Sequence, residues 1–332
     1  MKERKLYFLL YLFIAATFVF FNTGCSDDED PITPDPINET EELVKYLEGT
    51  DGGYINNAAP AVVSASSVNT DILAGANITI IDVRSATDYA AGHITGAVNV
   101  AIADIVTYYK NNNLSSKTKV IVTCYTGQSA GLAVAALRLS GYTNVFSLKW
   151  GMCSWAYPTS WNNAKLYGQT NPITKQMTAN SKNAAGNLPS FTSTGKTTGA
   201  EIFESRLNTV LTEGFGQIGI TRETVFANLS NYYIVNLWPV AEYDQGHIEG
   251  AVQYTPKQDL KLAAFLKTLP TDKTILVYCY TGQTSAQVAT YLRILGYDAK
   301  SLQFGANRLF WDTMPGSKWD EATEFMNYPV VQ

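Results

Sequence analysis

The chain has 332 residues, of which 46% are hydrophobic and 16% are charged. This length is enough for about two domains, and the composition excludes a chain that is disordered along most of its length. The formal net charge of −5 is concentrated in an acidic run from Asp27 to Glu42 that contains no lysine or arginine. Basic residues elsewhere are dispersed, which excludes a basic nucleic-acid-binding face. Four cysteines are too few for a disulfide scaffold of this length.

Residues 1–24 have the pattern of an export signal. Three basic residues lie within the first five, an apolar run extends from Leu6 to Phe21, and small residues lead to Cys25. A transmembrane anchor is the alternative, but the apolar run is shorter than the roughly 20 residues that span a bilayer. The Thr-Gly-Cys ending resembles a bacterial lipobox, which implies that Cys25 is lipidated. We therefore expect export and lipid anchoring in the cell envelope, at the outer membrane.

Residues 25–42 form an acidic, proline-containing tether. Clustered like charges repel one another and keep such a segment extended. The acidic residues that follow Cys25 also resemble the export tag that directs some Gram-negative lipoproteins to the cell surface, although a plain spacer would have the same composition. We expect a first domain at 43–160, a polar linker at 161–198 and a second domain at 199–332.

The body of the chain contains one unit twice. The segment from Gly92 to Val98 (GHITGAV) recurs at 246–252 as GHIEGAV, and Cys124-Tyr-Thr-Gly-Gln recurs at 279–283. The two motifs recur at nearly the same distance, so the similarity is an internal repeat and not a coincidence. The two histidines of the chain and two of its cysteines fall at matching positions.

Each copy is predicted to alternate strands and helices. Continuous apolar runs predict buried parallel strands at 78–83, 119–123 and 144–148, and in the second copy at 233–237, 274–278 and 299–302. Helical spacing predicts helices at 131–140 and 286–295. This alternation predicts two tandem α/β domains, each a parallel β-sheet flanked by helices.

A cysteine follows directly after a predicted strand in both copies. Cys124 and Cys279 therefore lie at the carboxyl edge of a parallel sheet, where α/β folds bind ligands. The helix that follows each loop directs backbone N–H groups at the sulfur and favours its anionic, nucleophilic form. Gly127 and Gly282 are expected to turn the backbone with positive φ. An inert buried cysteine is the alternative, but the matched context in both copies favours a reactive one.

Several motifs of the first copy together resemble the rhodanese (sulfurtransferase) family. They are Asp82-Val-Arg84, Asp88-Tyr89, Gly92-His93-Ile94-x-Gly96-Ala97, Cys124-x-x-Gly127-x-Ser129 and a closing segment Trp150-Gly151-Met152-x-x-Trp155, in which Trp150 replaces the family's first glycine. The resemblance implies that the loop cysteine accepts a sulfane sulfur from a donor such as thiosulfate, a mercaptopyruvate-like compound or a polysulfide. A thiol or cyanide acceptor then discharges the persulfide, and no cofactor or metal is required.

The resemblance also assigns candidate roles around each cysteine. The loops that would bind substrate and persulfide are Tyr125, Thr126, Gly127, Gln128 and Ser129 in the first copy, and Tyr280, Thr281, Gly282, Gln283 and Thr284 in the second. Structural support is expected from Asp82, Arg84 and Asp88, with Arg84 paired to Asp88. Because Asn236 and Trp238 replace Asp82 and Arg84 in the second copy, we rank Cys124 above Cys279.

Three further side chains have two interpretations each. His93 and His247 could act as general bases, but a bracing role in the turn is favoured, and a zinc site shared by two histidines in separate copies is not expected. Cys153 could resolve a disulfide with Cys124, although an inert buried thiol is favoured.

Neither cysteine loop contains a lysine or arginine. A neutral loop favours a donor with less charge than thiosulfate, and an arginine at Gln128 is expected to improve the use of thiosulfate. A non-catalytic surface module that binds a partner or carries sulfur is the main alternative function. A phosphatase or arsenate reductase needs an arginine six residues after the cysteine, where the chain has Ala130 and Ser285.

Overall fold

A computed structural model describes residues 37–332. The predicted signal sequence, Cys25 and most of the predicted tether lie outside the described residues. The predicted end of the tether at residue 42 is wrong, because a helix of the first domain begins at Glu39, where the Asn38 side chain caps it. Within 37–332, no helix is both long enough and apolar enough to cross a lipid bilayer.

The first domain contains a five-stranded parallel sheet in the order β1-β5-β4-β2-β3. Its strands are β1 (Val62–Val63), β2 (Ile78–Asp82), β3 (Ala97–Asn99), β4 (Lys119–Thr123) and β5 (Val145–Leu148). Its helices are α1 (Glu39–Glu48), α2 (Gly53–Asn57), α3 (Ala65–Leu73), α4 (Ala86–Ala91), α5 (Ile105–Asn111), α6 (Gln128–Leu139), α7 (Met152–Trp155) and α8 (Thr159–Thr170). Short 3₁₀ turns lie at Ile102–Asp104 and Leu114–Ser116.

The second domain repeats this topology, with parallel strands in the order β6-β10-β9-β7-β8. Its strands are β6 (Gly219–Ile220), β7 (Tyr232–Asn236), β8 (Val252–Gln253), β9 (Thr274–Tyr278) and β10 (Ala299–Leu302). Its helices are α9 (Gly199–Glu213), α10 (Arg222–Ala227), α11 (Val240–Tyr243), α12 (Gln283–Ile294) and α13 (Glu321–Glu324). Five 3₁₀ turns are Phe215–Gln217, Leu229–Asn231, Leu266–Thr268, Gly305–Arg308 and Trp311–Thr313. The predicted fold class, two tandem parallel α/β domains, is confirmed.

Burial on both faces explains the apolar strands. In β4, residues 120–122 are fully buried, because helices cover the sheet on each side. Helices α6 and α12 begin three residues before their predicted starts, at Gln128 and Gln283. Their first turns are polar or small and show no apolar period, so the sequence pattern indicated only the later turns.

The segment predicted as a linker begins with a helix. Helix α8 buries Trp161, Ala164 and Gly168, a narrow stripe that its asparagine- and threonine-rich composition concealed. The following residues, 171–198, lie along the second domain. Their backbone pairs with His247 through Gln176, and Gly186 N–H donates to the Lys267 carbonyl at 2.7 Å.

The two domains exchange chain segments. Glu48 of α1 accepts a hydrogen bond from the backbone N–H of Leu262 in the second domain at 2.6 Å. In the opposite direction, the segment after α13 returns to the first domain, where Met326 N–H donates to the Ser154 carbonyl at 2.8 Å. These exchanged contacts join residues 38–332 into one unit.

The central contact between the domains is the pair α6 and α12, the helices that follow the two cysteine loops. A Cβ on Gly131 would lie 3.0 Å from the Gln283 carbonyl oxygen and 3.1 Å from the Ala286 Cβ. The helices therefore approach closely at their N-termini, and the two cysteine loops lie beside each other at the domain interface.

Candidate active site

The Cys124 sulfur lies at the N-terminus of α6. Its Sγ accepts hydrogen bonds from the backbone N–H groups of Gly127 at 3.1 Å and Ala130 at 3.3 Å. The first N–H groups of a helix have no partner within the helix, and the helix dipole places partial positive charge there. The residue is 3% exposed. This arrangement directs two backbone donors at the sulfur in a site that largely excludes water.

Glycines shape the loop around the sulfur. Gly127 and Gly282 adopt φ values of 81° and 77°, the positive values predicted from the sequence. A Cβ on Gly151 would collide with the Cys124 carbonyl oxygen and with loop amide nitrogens. The closing segment of the first domain (residues 150–155) can therefore approach the cysteine loop only because position 151 has no side chain.

The Cys279 loop repeats this geometry and adds hydroxyl groups. Gly282 N–H and Ser285 N–H point at the Cys279 Sγ at 3.2 and 3.4 Å. The Ser285 hydroxyl lies 3.6 Å from the same sulfur, and it also shares a 2.8 Å hydrogen bond with Ser301. In the first domain the equivalent residue is Ala130, which offers the sulfur only its backbone.

The wall beside the Cys124 loop is a buried ion pair between Arg84 and Asp82. The guanidinium donates to both carboxylate oxygens, with Nη2 at 2.6 Å from Oδ2, and also to the Gly92 carbonyl at 2.8 Å. Burial opposes the charge, but the bonds to Asp82 raise the pKa of Arg84 overall. The expected pairing of Arg84 with Asp88 is wrong, because Asp82 lies directly beneath the guanidinium and satisfies it.

Asp88 has a different role, at the start of α4. The Ser85 hydroxyl donates to its carboxylate at 2.6 Å, while Asp88 N–H donates to the Ser85 Oγ. The Ser85 bond, followed by one from the Tyr125 hydroxyl, holds the pKa of Asp88 below its usual value. Tyr125 is 40% exposed, and its ring lies under Arg84, 5.2 Å from the guanidinium carbon. The mouth of the first loop is thus lined by Tyr125.

The second domain replaces this polar wall with aromatic stacking. Asn236 Oδ1 accepts from Trp238 N–H at 2.8 Å, as Asp82 accepts from Arg84 N–H. The Trp238 ring stacks on Tyr280 at 4.8 Å with the planes 10° apart. A Cβ on Gly316 would collide with the hydroxyl end of the Tyr280 ring, at Cζ and both Cε atoms. Within residues 37–332, the buried Tyr280 hydroxyl has no hydrogen-bond partner. Tyr280 is therefore covered, whereas Tyr125 is 40% exposed; the two cysteines themselves are equally buried, each 3% exposed.

Both predicted histidines brace a turn. The His93 ring stacks on Tyr89 at 3.7 Å, and its Nδ1 lies 3.0 Å from the Tyr89 carbonyl oxygen. His247 repeats this arrangement on Tyr243, at 3.6 Å and 3.0 Å. Within residues 37–332, neither imidazole hydrogen-bonds a cysteine sulfur, and the geometry is that of a structural residue.

The loop glutamines do not face the sulfur. Gln128 Oε1 accepts from the backbone N–H of Phe304 at 2.8 Å, and Gln283 Oε1 accepts from that of Trp150 at 3.2 Å. Each glutamine thus reaches into the opposite domain. The remaining loop side chains, Thr126, Ser129 and Thr284, are half-buried, whereas Thr281 is buried. These cross-domain bonds were not predicted from the sequence, although the glutamine at the same position of both loops was a signal.

Cys153 lies in the closing segment with its thiol fully buried. Burial raises the pKa of the thiol to about 12. Its backbone N–H donates to the Tyr125 carbonyl at 3.0 Å, so the residue contributes to loop geometry through its backbone. A thiol with this pKa fits an inert buried cysteine better than a resolving one.

Two parallel α/β domains that each hold a cysteine against the amides of a short loop define a class of protein, and the comparison with known families agrees. The model of the rhodanese-like domain family matches residues 65–157 and 226–308, just over half of the chain. The chain belongs to the rhodanese-like domain family.

Individual relatives match one domain at a time. Thiosulfate sulfurtransferase GlpE of Pseudomonas entomophila is 37% identical over 81 residues, which are 24% of this chain and 72% of that protein. The enzyme of the same name from Pseudomonas fluorescens is 40% identical over the same shares. A solution structure of the rhodanese-like domain of Anabaena Alr3790 is 28% identical, covers 30% of this chain and 74% of that chain, and has a TM-score of 0.27. The family and the two sulfurtransferases support a sulfurtransferase-type or sulfur-carrier function.

Proposed function

We propose that the chain is a sulfurtransferase in which Cys124 accepts a sulfane sulfur from a donor and passes it to a thiol or cyanide. The proposal is supported by family membership and by the geometry of the Cys124 loop. The observation that carries it is the pair of amide hydrogen bonds to the sulfur, at 3.1 and 3.3 Å, at the N-terminus of α6.

The chemistry has two steps with one covalent intermediate. The Cys124 thiolate attacks the outer sulfur of the donor, the donor S–S or C–S bond breaks, and the leaving group departs with the electron pair; from thiosulfate it is sulfite. An acceptor thiolate or cyanide then attacks the outer sulfur of the persulfide and returns the Cys124 thiolate. No external oxidant or reductant is consumed.

The loop amides stabilise the sulfur anions in both steps. Preorganised N–H groups in a water-poor site lower the energy of developing negative charge without reorganisation. The site has no arginine of the kind that phosphoryl transfer requires, because Ala130 and Ser285 occupy the sixth position after each cysteine. Sulfur transfer therefore fits the loop better than phosphate chemistry.

The second domain has a subsidiary role in this proposal. The Trp238 stack and the segment at Gly316 cover the Tyr280 side of its loop, whereas Tyr125 is exposed in the first domain. The covered loop favours a second candidate function for this domain alone, as a non-catalytic binding or sulfur-carrier module. Cys124 is accordingly the main nucleophile and Cys279 the weaker one.

The donor is proposed to carry less charge than thiosulfate. The cation next to the first loop is Arg84, and its charge is compensated by Asp82 at 2.6 Å. A mercaptopyruvate-like compound, an organic polysulfide or a protein persulfide needs less compensation than a dianion.

We also propose that the chain acts at the cell envelope, anchored by lipid on Cys25. The support is the lipobox-like ending of the apolar run. A Cys25→Ala variant should be released or left unprocessed, since stable anchoring requires the acyl chains. If this variant is processed and bound to membranes as the parent is, the anchoring proposal is wrong.

The test of the activity uses intact-mass measurement of the full chain after exposure to each donor. A persulfide adds about 32 Da, the mass of one sulfur atom, and the addition should disappear when an acceptor is supplied. Cys124→Ser should remove most of the turnover, while Cys279→Ser should retain much of it. If no donor adds sulfur to the parent chain, the proposed function is wrong; if Cys279→Ser is the damaging change, the domain roles are reversed.

A further inference from the structure

Two bulky residues next to the cysteine loops adopt left-handed backbone conformations. Trp150 has φ of 65° and Phe304 has φ of 63°, and both occupy the first position of a closing segment (150–155 and 304–308). Left-handed backbone is a genuine outlier for large side chains, and it persists only where surrounding contacts hold it. The strain therefore indicates that something fixes these two residues.

The contact that holds each residue comes from the other domain. Trp150 N–H donates to the Gln283 Oε1 at 3.2 Å, and Gln283 Nε2 donates to the Leu148 carbonyl at 3.3 Å. Gln283 thus bridges both sides of the turn between β5 and α7. Gln283 is 2% exposed, so water does not compete for these bonds.

The closing segment in turn fixes the cysteine loop of its own domain. Met152 N–H donates to the Cys124 carbonyl at 2.7 Å, and Cys153 N–H donates to the Tyr125 carbonyl at 3.0 Å. These bonds orient the loop whose amides point at the Cys124 sulfur. A continuous series of contacts therefore joins Gln283, on the second domain's helix, to the nucleophile of the first domain.

The same arrangement occurs in the opposite direction. Phe304 N–H donates to the Gln128 Oε1 at 2.8 Å. Ala306 N–H then donates to the Cys279 carbonyl at 3.1 Å, and Asn307 N–H to the Tyr280 carbonyl at 3.2 Å. The two halves of the interface are thus reciprocal.

From this geometry we propose that Gln283 is a positioning residue for Cys124, and Gln128 for Cys279, so that each cysteine loop is held in its reactive geometry by the opposite domain. This inference rests on the proposed function in one respect, namely that Cys124 accepts sulfur. Its consequence is that neither domain has a complete active site on its own.

The test measures Cys124 alone, in the full chain carrying Cys279→Ser. In this background Gln283→Met removes both polar contacts and keeps the side-chain length. We expect kcat/KM for sulfur transfer to fall about 10- to 100-fold, because displacements of about 1 Å in a reactive geometry have effects of this size. The rate of Cys124 alkylation by iodoacetamide should also change, which gives a readout that is independent of sulfur transfer.

Gln287→Met is the matched control. Gln287 lies one turn further along α12, is fully buried, and also bonds across the interface, where its Oε1 accepts from Tyr54 at 2.5 Å and Ala61 N–H at 3.3 Å. Within residues 37–332, no hydrogen bond joins Gln287 to a closing segment. We expect Gln287→Met to lower the unfolding midpoint as Gln283→Met does, and to leave kcat/KM within about twofold of the background.

A second variant tests the hydrogen bonds themselves. A neutral carboxyl in Gln283→Glu can donate to Leu148 and accept from Trp150, as the amide does, but an ionised one cannot donate. Relative to the background, Gln283→Glu should therefore be nearly as active at low pH and lose activity as pH rises. Burial should place this loss above the usual glutamate pKa of about 4.3. Gln287→Glu should show no such fall in kcat/KM.

The outcomes separate the two proposals. If the background chain forms no persulfide at all, the proposed function fails. If it forms one and Gln283→Met matches Gln287→Met in both kcat/KM and alkylation rate, the positioning role is wrong. A Gln283→Glu profile parallel to that of the background would overturn it as well.

Discussion

Trp238 stacks flat on Tyr280 at the position where, in the first domain, Arg84 lies over Tyr125. The two pairs are equivalent in sequence and place a planar group on the tyrosine that follows the cysteine. In the first domain the planar group is a cation neutralised by Asp82, and in the second it is an indole beside Asn236. Both domains therefore place a planar group on this tyrosine, but the first uses a buried ion pair and the second uses neutral side chains.

This relationship predicts that the charged pair of the first domain cannot be replaced by the neutral pair of the second domain through a single substitution. Arg84→Met leaves the Asp82 carboxylate, whose side chain is fully buried, without its partner. Breaking a buried pair in this way costs about 3–5 kcal/mol. We expect the free energy of unfolding, measured in urea, to fall by about that amount.

The control for this prediction comes from the second domain. The double variant Asp82→Asn, Arg84→Trp copies the arrangement of Asn236 and Trp238 and leaves no buried charge. It should recover most of the stability that Arg84→Met loses. A midpoint for Arg84→Met equal to that of the parent chain would show that the pair contributes little.

The core strands and the cysteine loops could be predicted because each is determined by local pattern. Strand β4 is apolar throughout, since both faces are covered, and Cys124 follows it directly. The partner of Arg84 could not be predicted in this way. Asp82 and Asp88 are both close in sequence, and only the three-dimensional position of the carboxylate decides between them.

The cross-domain contacts could not be predicted from sequence patterns either. Gln128 and Gln283 resemble substrate-binding residues in sequence, because they lie beside the cysteines. Their actual partners are the backbones of Phe304 and Trp150, more than a hundred residues away. Such pairing depends on how the two domains are docked, which a periodicity of apolar residues does not encode.

A cation for thiosulfate should therefore be introduced at Ser129 and not at Gln128, which is buried and engaged with Phe304. Ser129 is half-buried in the first turn of α6. A lysine there should raise kcat/KM for thiosulfate by up to about tenfold, through charge attraction to the dianion. The measurement is donor preference in steady-state kinetics at low and high salt, because screening should weaken the gain.

The equivalent residue of the second loop, Thr284, provides the control. If Cys124 is the main nucleophile, Thr284→Lys should leave thiosulfate use unchanged. Equal gains from both lysines would instead indicate that the cysteines of both loops transfer sulfur. No gain from a folded Ser129→Lys chain would mean that loop charge does not set donor preference.

Cys153 should not react with alkylating reagents in the folded chain. Because burial raises the pKa of its thiol to about 12, almost none is ionised at pH 8. Iodoacetamide should label Cys124 and Cys279 in the folded chain and reach Cys153 only after denaturation. Peptide mapping of the labelled sites decides this, and labelling of Cys153 at the rate of the loop cysteines would contradict it.

The same thiol should make stability depend on pH in alkaline solution. Its ordinary pKa is near 9 and the folded value is about 12, so between these values the unfolded chain has released a proton that the folded chain retains. Stability contributed by the buried thiol is therefore complete below about pH 9 and is lost as pH rises, by at most about 1.4 kcal/mol per pH unit. The difference between the urea midpoints at pH 8 and pH 10.5 should therefore be smaller in Cys153→Ala than in the parent chain.

Glu324 should be a main attachment of the returning C-terminal segment to the first domain. Its carboxylate accepts from Trp150 Nε1 at 2.8 Å and from Lys149 Nζ at 2.8 Å. Trp150 is fully buried, so Glu324→Leu leaves its indole N–H without an acceptor. An unsatisfied buried donor costs about 1–3 kcal/mol, and the free energy of unfolding should fall by that amount.

The conservative variant separates the hydrogen bond from the ion pair. Glu324→Gln keeps an acceptor for Trp150 and loses only the attraction to Lys149, whose side chain is 32% exposed. A pair that is partly open to solvent contributes about 1 kcal/mol or less, so this variant should be close to the parent. Glu321→Leu, on the same short helix, removes an exposed carboxylate that accepts a solvent-exposed hydrogen bond from the half-buried Asn162, and it should also have little effect. Equal losses for Glu324→Leu and Glu324→Gln would assign the stabilisation to the ion pair, contrary to the expectation that the buried indole decides it.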